Sequence, residues 1–280
     1  MPDIYDCAIV GDGPAGLSAA VNLLQRGRTC VVLGLGKSYL QKAELVDNYL
    51  GLPAMTGSEM YNAFVQHAKT AGAEIRHAKV NNIVPFGEQF MLNADGDIIT
   101  SRTVMLAMGA AKAAAIPGEA ELLGKGVSYC ATCDGMLYRG KDGAVWALGE
   151  DALQEAAFLY SIGCRVTVIA AKEPSGLPEG IRVIQGRIEK VNGEQQVTSI
   201  TVNGSELAVQ GVFILRDAIA PGALINGLDM NNGRISANEN GETNLPGVYA
   251  VGDLSGKPLQ VAKAVGDALR AALHIAEALK

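Results

Sequence analysis

Tyr5-Asp6-Cys7-Ala8-Ile9-Val10-Gly11-Asp12-Gly13-Pro14-Ala15-Gly16 is the stretch that decides the fold. Its apolar first half, Tyr5 to Val10, predicts a buried strand, and the amphipathic run from Leu17 to Gln25, stopped at Gly27, predicts a helix after the glycine turn. Strand, glycine turn and helix in that order form a dinucleotide-binding unit. Gly11 permits the tight turn, Gly13 lets backbone approach a pyrophosphate, and Gly16 lets the helix pack closely on the strand. The helix N-terminus adds partial positive charge. The second strand, Cys30 to Leu33, ends in Gly34-Leu35-Gly36, where an acidic residue usually holds an adenosine ribose. The ribose contact therefore has to come from elsewhere in the chain.

The same pattern recurs in the middle of the chain in damaged form. Ala144 to Leu148 predicts a strand, Ala152 to Ile162 a helix ended by Gly163, and Arg165 to Ala170 the next strand. Where the fingerprint asks for G-x-G-x-x-A, the chain has Ala147-Leu148-Gly149-Glu150-Asp151-Ala152. The first glycine is gone, and two carboxylates stand where a pyrophosphate would sit. At an effective dielectric near 20 and a separation of about 5 Å, each close like-charge pair costs roughly 3 kcal/mol before relaxation and screening.

Between the two units lies Cys130-Ala131-Thr132-Cys133-Asp134-Gly135. Two cysteines with two residues between them close a small disulfide ring at a turn or helix start, and local charge activates their thiolates. The acid after the second cysteine adds a proton donor or acceptor at the same place. A half zinc site or two core thiols would also read this way, but no second CxxC or CxxH accompanies the pair, and none of His67, His77 and His274 is near a cysteine in sequence. A redox dithiol is the better reading, and no metal site is expected. Cys7, Cys30 and Cys164 lie in or beside apolar runs and are expected in the core.

At 280 residues the chain is long enough for two domains, and 49% hydrophobic residues suffice for full cores. A net charge of −6 and a pI near 5.2 argue against a sequence-independent nucleic-acid binder or an anionic-membrane binder. The opening Met-Pro-Asp-Ile-Tyr-Asp lacks a basic start and a long apolar run, and no apolar stretch is long enough to span a bilayer. A cytoplasmic location is expected. An odd count of five cysteines fits a reducing compartment in which one catalytic pair cycles.

The remaining segments supply scaffold and candidate ligands. Lys37 to Pro53 reads as irregular, with Asn48 near its end. Ser58 to Gly72 reads as a helix capped by Ser58, with Met60, Phe64 and Ala68 on one face. Short strands with turns at Phe86-Gly87 and Asp95-Gly96-Asp97 suggest a β-meander, followed by a separate buried strand from Thr103 to Met108. Near the end, Gly247 to Gly252 predicts a strand that delivers Asp253, and Lys257-Pro258-Leu259-Gln260 precedes a long helix from Val261 to Leu279. An acid at such a strand end can hold ribityl or ribose hydroxyls.

Gly11 to Gly16, Asn48, the Cys-Ala-Thr-Cys-Asp-Gly box with the following Tyr138-Arg139, and Gly252-Asp253 together resemble the low-molecular-weight flavin thioredoxin reductases. The resemblance covers nearly the whole chain. It implies two Rossmann-like α/β domains: a discontinuous FAD domain at 1–111 and 216–280, and a smaller dithiol-bearing domain at 112–215. It also implies a homodimer. By the same resemblance Gly11, Gly13 and Gly16 hold the FAD pyrophosphate, Asn48 and Asp253 contact the flavin cofactor, Gln260 lies beside its isoalloxazine ring, and Pro14, Ala15, Gly252 and Val261 are further cofactor-binding residues. Cys133 faces the flavin, Cys130 attacks the disulfide of a thioredoxin-like partner, and Asp134 handles the proton.

The departures from that family narrow the reading. Its basic His-Arg-Arg cluster, which grips the NADPH 2′-phosphate, is replaced here by Ala170-Ala171-Lys172. One lysine does not replace a bidentate arginine pair. The middle segment is also shorter than in NADPH-using members. The pattern is similar to the branch that uses no pyridine nucleotide, in which reduced ferredoxin supplies the electrons. An NAD(P)H-dependent reductase with another dithiol partner and a non-catalytic flavin-binding protein are the alternatives.

Overall fold

Parallel strands alternating with helices form both halves of the molecule, as the two glycine-turn patterns require. The structure is a computed structural model that describes residues 4–109, 116–119, 121–149, 151–216, 221–231 and 234–279. It divides into two units, Met1–Lys112 with Ala220–Lys280, and Ala113–Ile219. Each is an α/β unit with its own core and a sheet that contains parallel strands, so the two Rossmann-like α/β domains read from the sequence are the fold observed.

The first unit begins with β1 (Tyr5–Val10), α1 (Pro14–Leu24), β2 (Cys30–Gly34), α2 (Gly57–Thr70) and β3 (Glu74–His77), followed by the hairpin strands β4 (Val80–Phe86), β5 (Gln89–Ala94) and β6 (Asp97–Leu106). The helix α1 starts three residues earlier than its amphipathic pattern suggests, because Pro14 is itself its first residue and its fixed φ suits that position. Thr56, not Ser58, caps α2: its hydroxyl accepts from the Glu59 amide while the Glu59 carboxylate accepts from the Thr56 amide. Ser58 instead donates to the Gln41 carbonyl. The strand expected at Thr103 to Met108 is not separate. It is the second half of the ten-residue β6, whose first half pairs antiparallel with β5 and whose second half pairs parallel with β1.

The second unit contains β7 (Val127–Ser128), α3 (Ala131–Asp134), β8 (Asp142–Ala147), α4 (Ala152–Ser161), β9 (Arg165–Ala170), β10 (Arg182–Gln185), β11 (Ile188–Asn192), β12 (Ser199–Val202), β13 (Ser205–Ala208) and β14 (Gly211–Leu215). Its parallel sheet has the order β10-β9-β8-β14-β7, and β11, β12 and β13 form a separate antiparallel sheet. Ala152, Ala156 and Leu159 of α4 bury against Val145, Val166, Val168 and Phe213 of the sheet. Arg216, placed by the sequence reading with the C-terminal segment, belongs to this unit, where its guanidinium pairs with Glu119.

The chain then returns to the first unit through α5 (Pro221–Leu224), β15 (Met230–Asn231), β16 (Arg234–Ile235), β17 (Val248–Ala250) and α6 (Val261–Ala278). β17 pairs parallel with the second half of β6, completing the order β3-β2-β1-β6-β17 beside the hairpin. Ala15, Ala19, Ala20 and Leu23 of α1 share one core with Ala264, Ala268, Ala271, Ala272 and Ile275 of α6. Alanines there let two helices lie close on one sheet face. Cys7, Cys30 and Cys164 are buried free thiols. Burial holds the first two thiols up at about 12, so they pack as small apolar groups. Among the described residues, no helix is long and apolar enough to cross a membrane.

Candidate cofactor and dithiol sites

In the first unit the glycine turn is shaped by two close approaches. Gly11 has φ +113°, and a Cβ there would lie 2.5 Å from the Ala107 carbonyl oxygen. A Cβ on Gly16 would overlap the Gly11 carbonyl oxygen. Both positions therefore exclude any side chain, so α1 begins directly on the end of β1. Gly13 is the N-cap of α1, and no side chain caps that helix among the described residues. The free amides at its start are thus available to an anionic ligand.

The second rim of this site comes from the far end of the chain. Gly252, with φ +72°, packs against Ala15, a buried residue of the fingerprint, and begins the short 3-10 turn Gly252–Leu254 after β17. Lys263 stitches this turn by donating to the carbonyls of Gly252 at 2.7 Å and Gly256 at 3.0 Å. Asp253 is half-buried and accepts no hydrogen bond among the described residues. Burial holds its carboxyl above the usual Asp range, against the opposing charges of Lys263 and Arg234. Asn48 and Gln260, 212 residues apart, meet directly, with the Asn48 amide donating to Gln260 Oε1 at 3.0 Å. Gln260 is also the N-cap of α6, which starts at Val261 and likewise has no side-chain cap. A glycine cradle, an uncapped helix start, an unpartnered half-buried carboxylate and an amide pair at a second helix start fit a flavin dinucleotide.

In the second unit the cysteine box sits on α3. Cys130 and Cys133 form a disulfide with their Cα atoms 5.4 Å apart. Cys130 is the N-cap of α3 and its sulfur accepts from the Cys133 amide at 3.2 Å. It is 7% exposed, whereas Cys133 is exposed. A Cβ on Gly135 would come within 2.8 Å of Leu159, so a glycine is needed to seat the box on α4. Behind it the Cys164 thiol donates to the Tyr138 carbonyl at 3.2 Å, and burial raises its pKa.

Three groups at this box were not legible in the sequence. Ser128 donates to Asp134 Oδ2 at 2.7 Å and accepts from the Cys130 amide at 3.1 Å, tying the acid to the first cysteine. Glu155, in the first turn of α4, accepts from the Ala131 amide at 2.8 Å and so satisfies a donor at the buried start of α3. Tyr129, immediately before the box, donates to Glu119, which also receives both Arg216 Nη atoms at 2.7 and 2.9 Å. A serine two residues before the first cysteine was the available signal for Ser128. Glu119 and Arg216 had none, since their pairing spans 97 residues.

The degenerate fingerprint of this unit differs from the first in how its amides are used. Ala147 is the last residue of β8, in register with Leu215. The amides of Leu148 and Gly149 both donate to the Leu215 carbonyl, at 3.0 and 2.8 Å. They are committed to the sheet. Asp151 is exposed at the start of α4, and Glu150 lies outside the described residues. After β9, Ala171 and Lys172 are exposed, as the sequence placed them.

The fold and the disulfide-bearing box define a flavoprotein disulfide oxidoreductase. The chain belongs to the pyridine nucleotide-disulphide oxidoreductase family, which it matches over residues 5–268. It is 30% identical to a thioredoxin reductase of Bacillus subtilis over 97% of this chain and 94% of that protein. Among solved structures it is 36% identical to a ferredoxin-flavin thioredoxin reductase from Clostridium acetobutylicum, covering 98% of each chain with a TM-score of 0.87. A thioredoxin reductase from Gloeobacter violaceus is 30% identical, with 98% of this chain and 94% of that chain covered and a TM-score of 0.78. The protein is of the thioredoxin-reductase type, and its cofactor is FAD.

Proposed function

We propose that the protein reduces the disulfide of a thioredoxin through FAD and the Cys130–Cys133 pair, with electrons from reduced ferredoxin. The observation that carries the choice of donor is the second fingerprint. Its loop amides at Leu148 and Gly149 are spent on Leu215, an acid follows at Asp151, and Ala170-Ala171-Lys172 replaces a basic 2′-phosphate grip. The similarity to the ferredoxin-flavin enzyme of Clostridium acetobutylicum supports the same reading.

Bound FAD supplies the exchange between single electrons from an iron–sulfur donor and the pair of electrons that a disulfide needs. In the first unit the Gly11–Gly16 turn and the α1 start take the pyrophosphate, Asp253 the ribityl chain, and Asn48 and Gln260 the ring system. In the second unit, two electrons and two protons convert the Cys130–Cys133 bond to a dithiol, with Cys133 as the sulfur that faces the flavin. Asp134 takes the Cys130 proton, and the Cys130 thiolate attacks one sulfur of the partner disulfide. The partner's other sulfur leaves with the proton from Asp134. Cys133 then closes on Cys130, which releases the second partner sulfur as a thiol. Because Cys130 is buried in the disulfide form, the box has to open before a partner can reach it. In this reading the enzyme is a homodimer, which sedimentation of the holoenzyme measures.

Anaerobic holoenzyme titrated with reduced ferredoxin should lose its oxidised flavin absorbance and then reduce thioredoxin, while excess NADPH or NADH leaves the absorbance unchanged. Rapid bleaching by either nucleotide at micromolar concentration would restore the second reading, an NAD(P)H-dependent reductase, which the family description itself favours.

A further inference from the structure

The first fingerprint leaves one of its own requirements unmet: no acid stands at the end of β2, where Gly34 occupies the position that usually holds the adenosine ribose. A carboxylate nevertheless stands at that place. Asp12, the second residue of the glycine turn, is 7% exposed and points across to the end of β2. Its Oδ2 accepts from the Gly36 amide at 2.7 Å and from the Tyr61 hydroxyl at 3.2 Å. A Cβ built on Gly34 would overlap the Asp12 carboxyl carbon and lie 2.7 Å from Oδ2. The two positions compete for one space. An acid at Gly34 and an acid at Asp12 exclude each other.

We propose that Asp12 is the adenosine-ribose ligand of this protein, the carboxylate having moved from the end of β2 to the glycine turn, with Gly34 as the vacancy that admits it. This rests on FAD as the cofactor and is independent of the electron donor. Both observed bonds fall on Oδ2, so Oδ1 has no partner among the described residues and is the acceptor left for a ribose hydroxyl. The Gly36 amide and the Tyr61 hydroxyl fix the carboxylate before ligand arrives, so little freedom is lost on binding. The start of α1, two residues on, favours a negative charge there. The same geometry gives Gly34 and Tyr61 a role: the glycine makes room for the acid, and the α2 tyrosine aims it.

The test uses apoprotein and measures binding by quenching of flavin fluorescence, with FAD and with an FAD analogue built on 2′-deoxyadenosine. The parent protein should prefer FAD over the deoxy analogue by about tenfold or more, because a charge-assisted hydrogen bond is lost. Asp12→Ser should bind FAD about tenfold to a hundredfold more weakly and lose the preference. The double substitution Asp12→Gly with Gly34→Glu, which returns an acid to the end of β2 and removes both the Cβ and the carboxyl it would overlap, should regain the preference. Equal binding of FAD and the deoxy analogue by the parent would overturn the proposal. So would an Asp12→Ser variant that keeps the preference, even if it unfolds more easily, since Asp12 would then serve only to tie Gly36 to Tyr61. Absence of any FAD binding by the parent would strike the cofactor assignment instead, which separates the two failures.

Discussion

Ser128 Oγ lies 2.7 Å from Asp134 Oδ2 and 3.1 Å from the Cys130 amide, so one hydroxyl links the acid of the box to its first cysteine. The serine sits on β7 and is 3% exposed, which fixes the acid on a rigid strand. Asp134→Asn should slow dithiol–disulfide exchange by about 10²- to 10⁴-fold, the usual range for a lost acid/base, with FAD content unchanged. Ser128→Ala should slow it less, by roughly tenfold, because the acid remains but loses one hydrogen bond. Stopped-flow exchange with oxidised thioredoxin measures both. An Asp134→Asn variant at the parental rate would remove the acid from the mechanism.

The two cysteines should differ in spectrum because the proposed roles place only Cys133 against the flavin. Cys130→Ser leaves Cys133 unpaired and should give a long-wavelength charge-transfer absorbance in the oxidised holoenzyme at a pH where Cys133 is a thiolate. Cys133→Ser should give none. The same spectrum from both, or the band from Cys133→Ser alone, reverses the assignment.

What could be read from the sequence was local. The turn at Gly11–Gly16 announces itself because a positive φ and two overlapping Cβ positions demand glycines at fixed spacing. The Cys130–Cys133 box does so because a disulfide ring of that size needs two intervening residues. Helix ends were less legible: Thr56 and Ser58 are both good caps two residues apart, and only the reciprocal bond from Glu59 chooses Thr56. What could not be read depended on chain distance. Asn48 needs Gln260, Glu119 needs Arg216, and Asp12 needs Gly36 and Tyr61. The missing acid at Gly34 was visible, but its replacement one turn away became visible only when β1 and β2 were set side by side.

If Asp253 holds the ribityl chain as proposed, cofactor binding and stability are coupled through it. Burial holds its carboxyl above the usual Asp range, outweighing Lys263 and Arg234. A carboxyl whose pKa rises on folding favours the folded chain while protonated, at pH below the ordinary Asp value, and this contribution is lost as pH climbs through the raised one. Asp253→Asn should therefore leave the apoprotein at least as stable as the parent at neutral pH and flatten its acid-side stability profile. Its affinity for FAD should fall by about tenfold through loss of a charged acceptor. Thermal melts of the apoprotein across pH, beside a flavin titration, check both. Lower stability with unchanged FAD affinity would make the residue structural.

Glu119 and Arg216 should be the most sensitive pair in the second unit. Glu119 is fully buried and Arg216 is 7% exposed; two guanidinium–carboxylate bonds, the Tyr129 hydroxyl and the Ile116 amide all converge on one carboxylate. The guanidinium also lies 5.7 Å from the Trp146 ring. Removing one member of a buried pair leaves the other charge uncompensated, which costs about 3–5 kcal/mol, whereas replacing both with apolar residues of similar volume is often close to neutral. Glu119→Gln should thus destabilise the second unit by about that amount, measured by hydrogen exchange at the β14 amides. Glu119→Leu combined with Arg216→Met should recover most of the loss. Since Tyr129 leads directly into Cys130, the single variant should also raise exchange at the box amides, and the double variant, lacking a partner for the Tyr129 hydroxyl, should recover the strand but not the box. A Glu119→Gln protein within about 0.5 kcal/mol of the parent, the range of an ordinary surface substitution, would show that the pair does not anchor the segment carrying the dithiol.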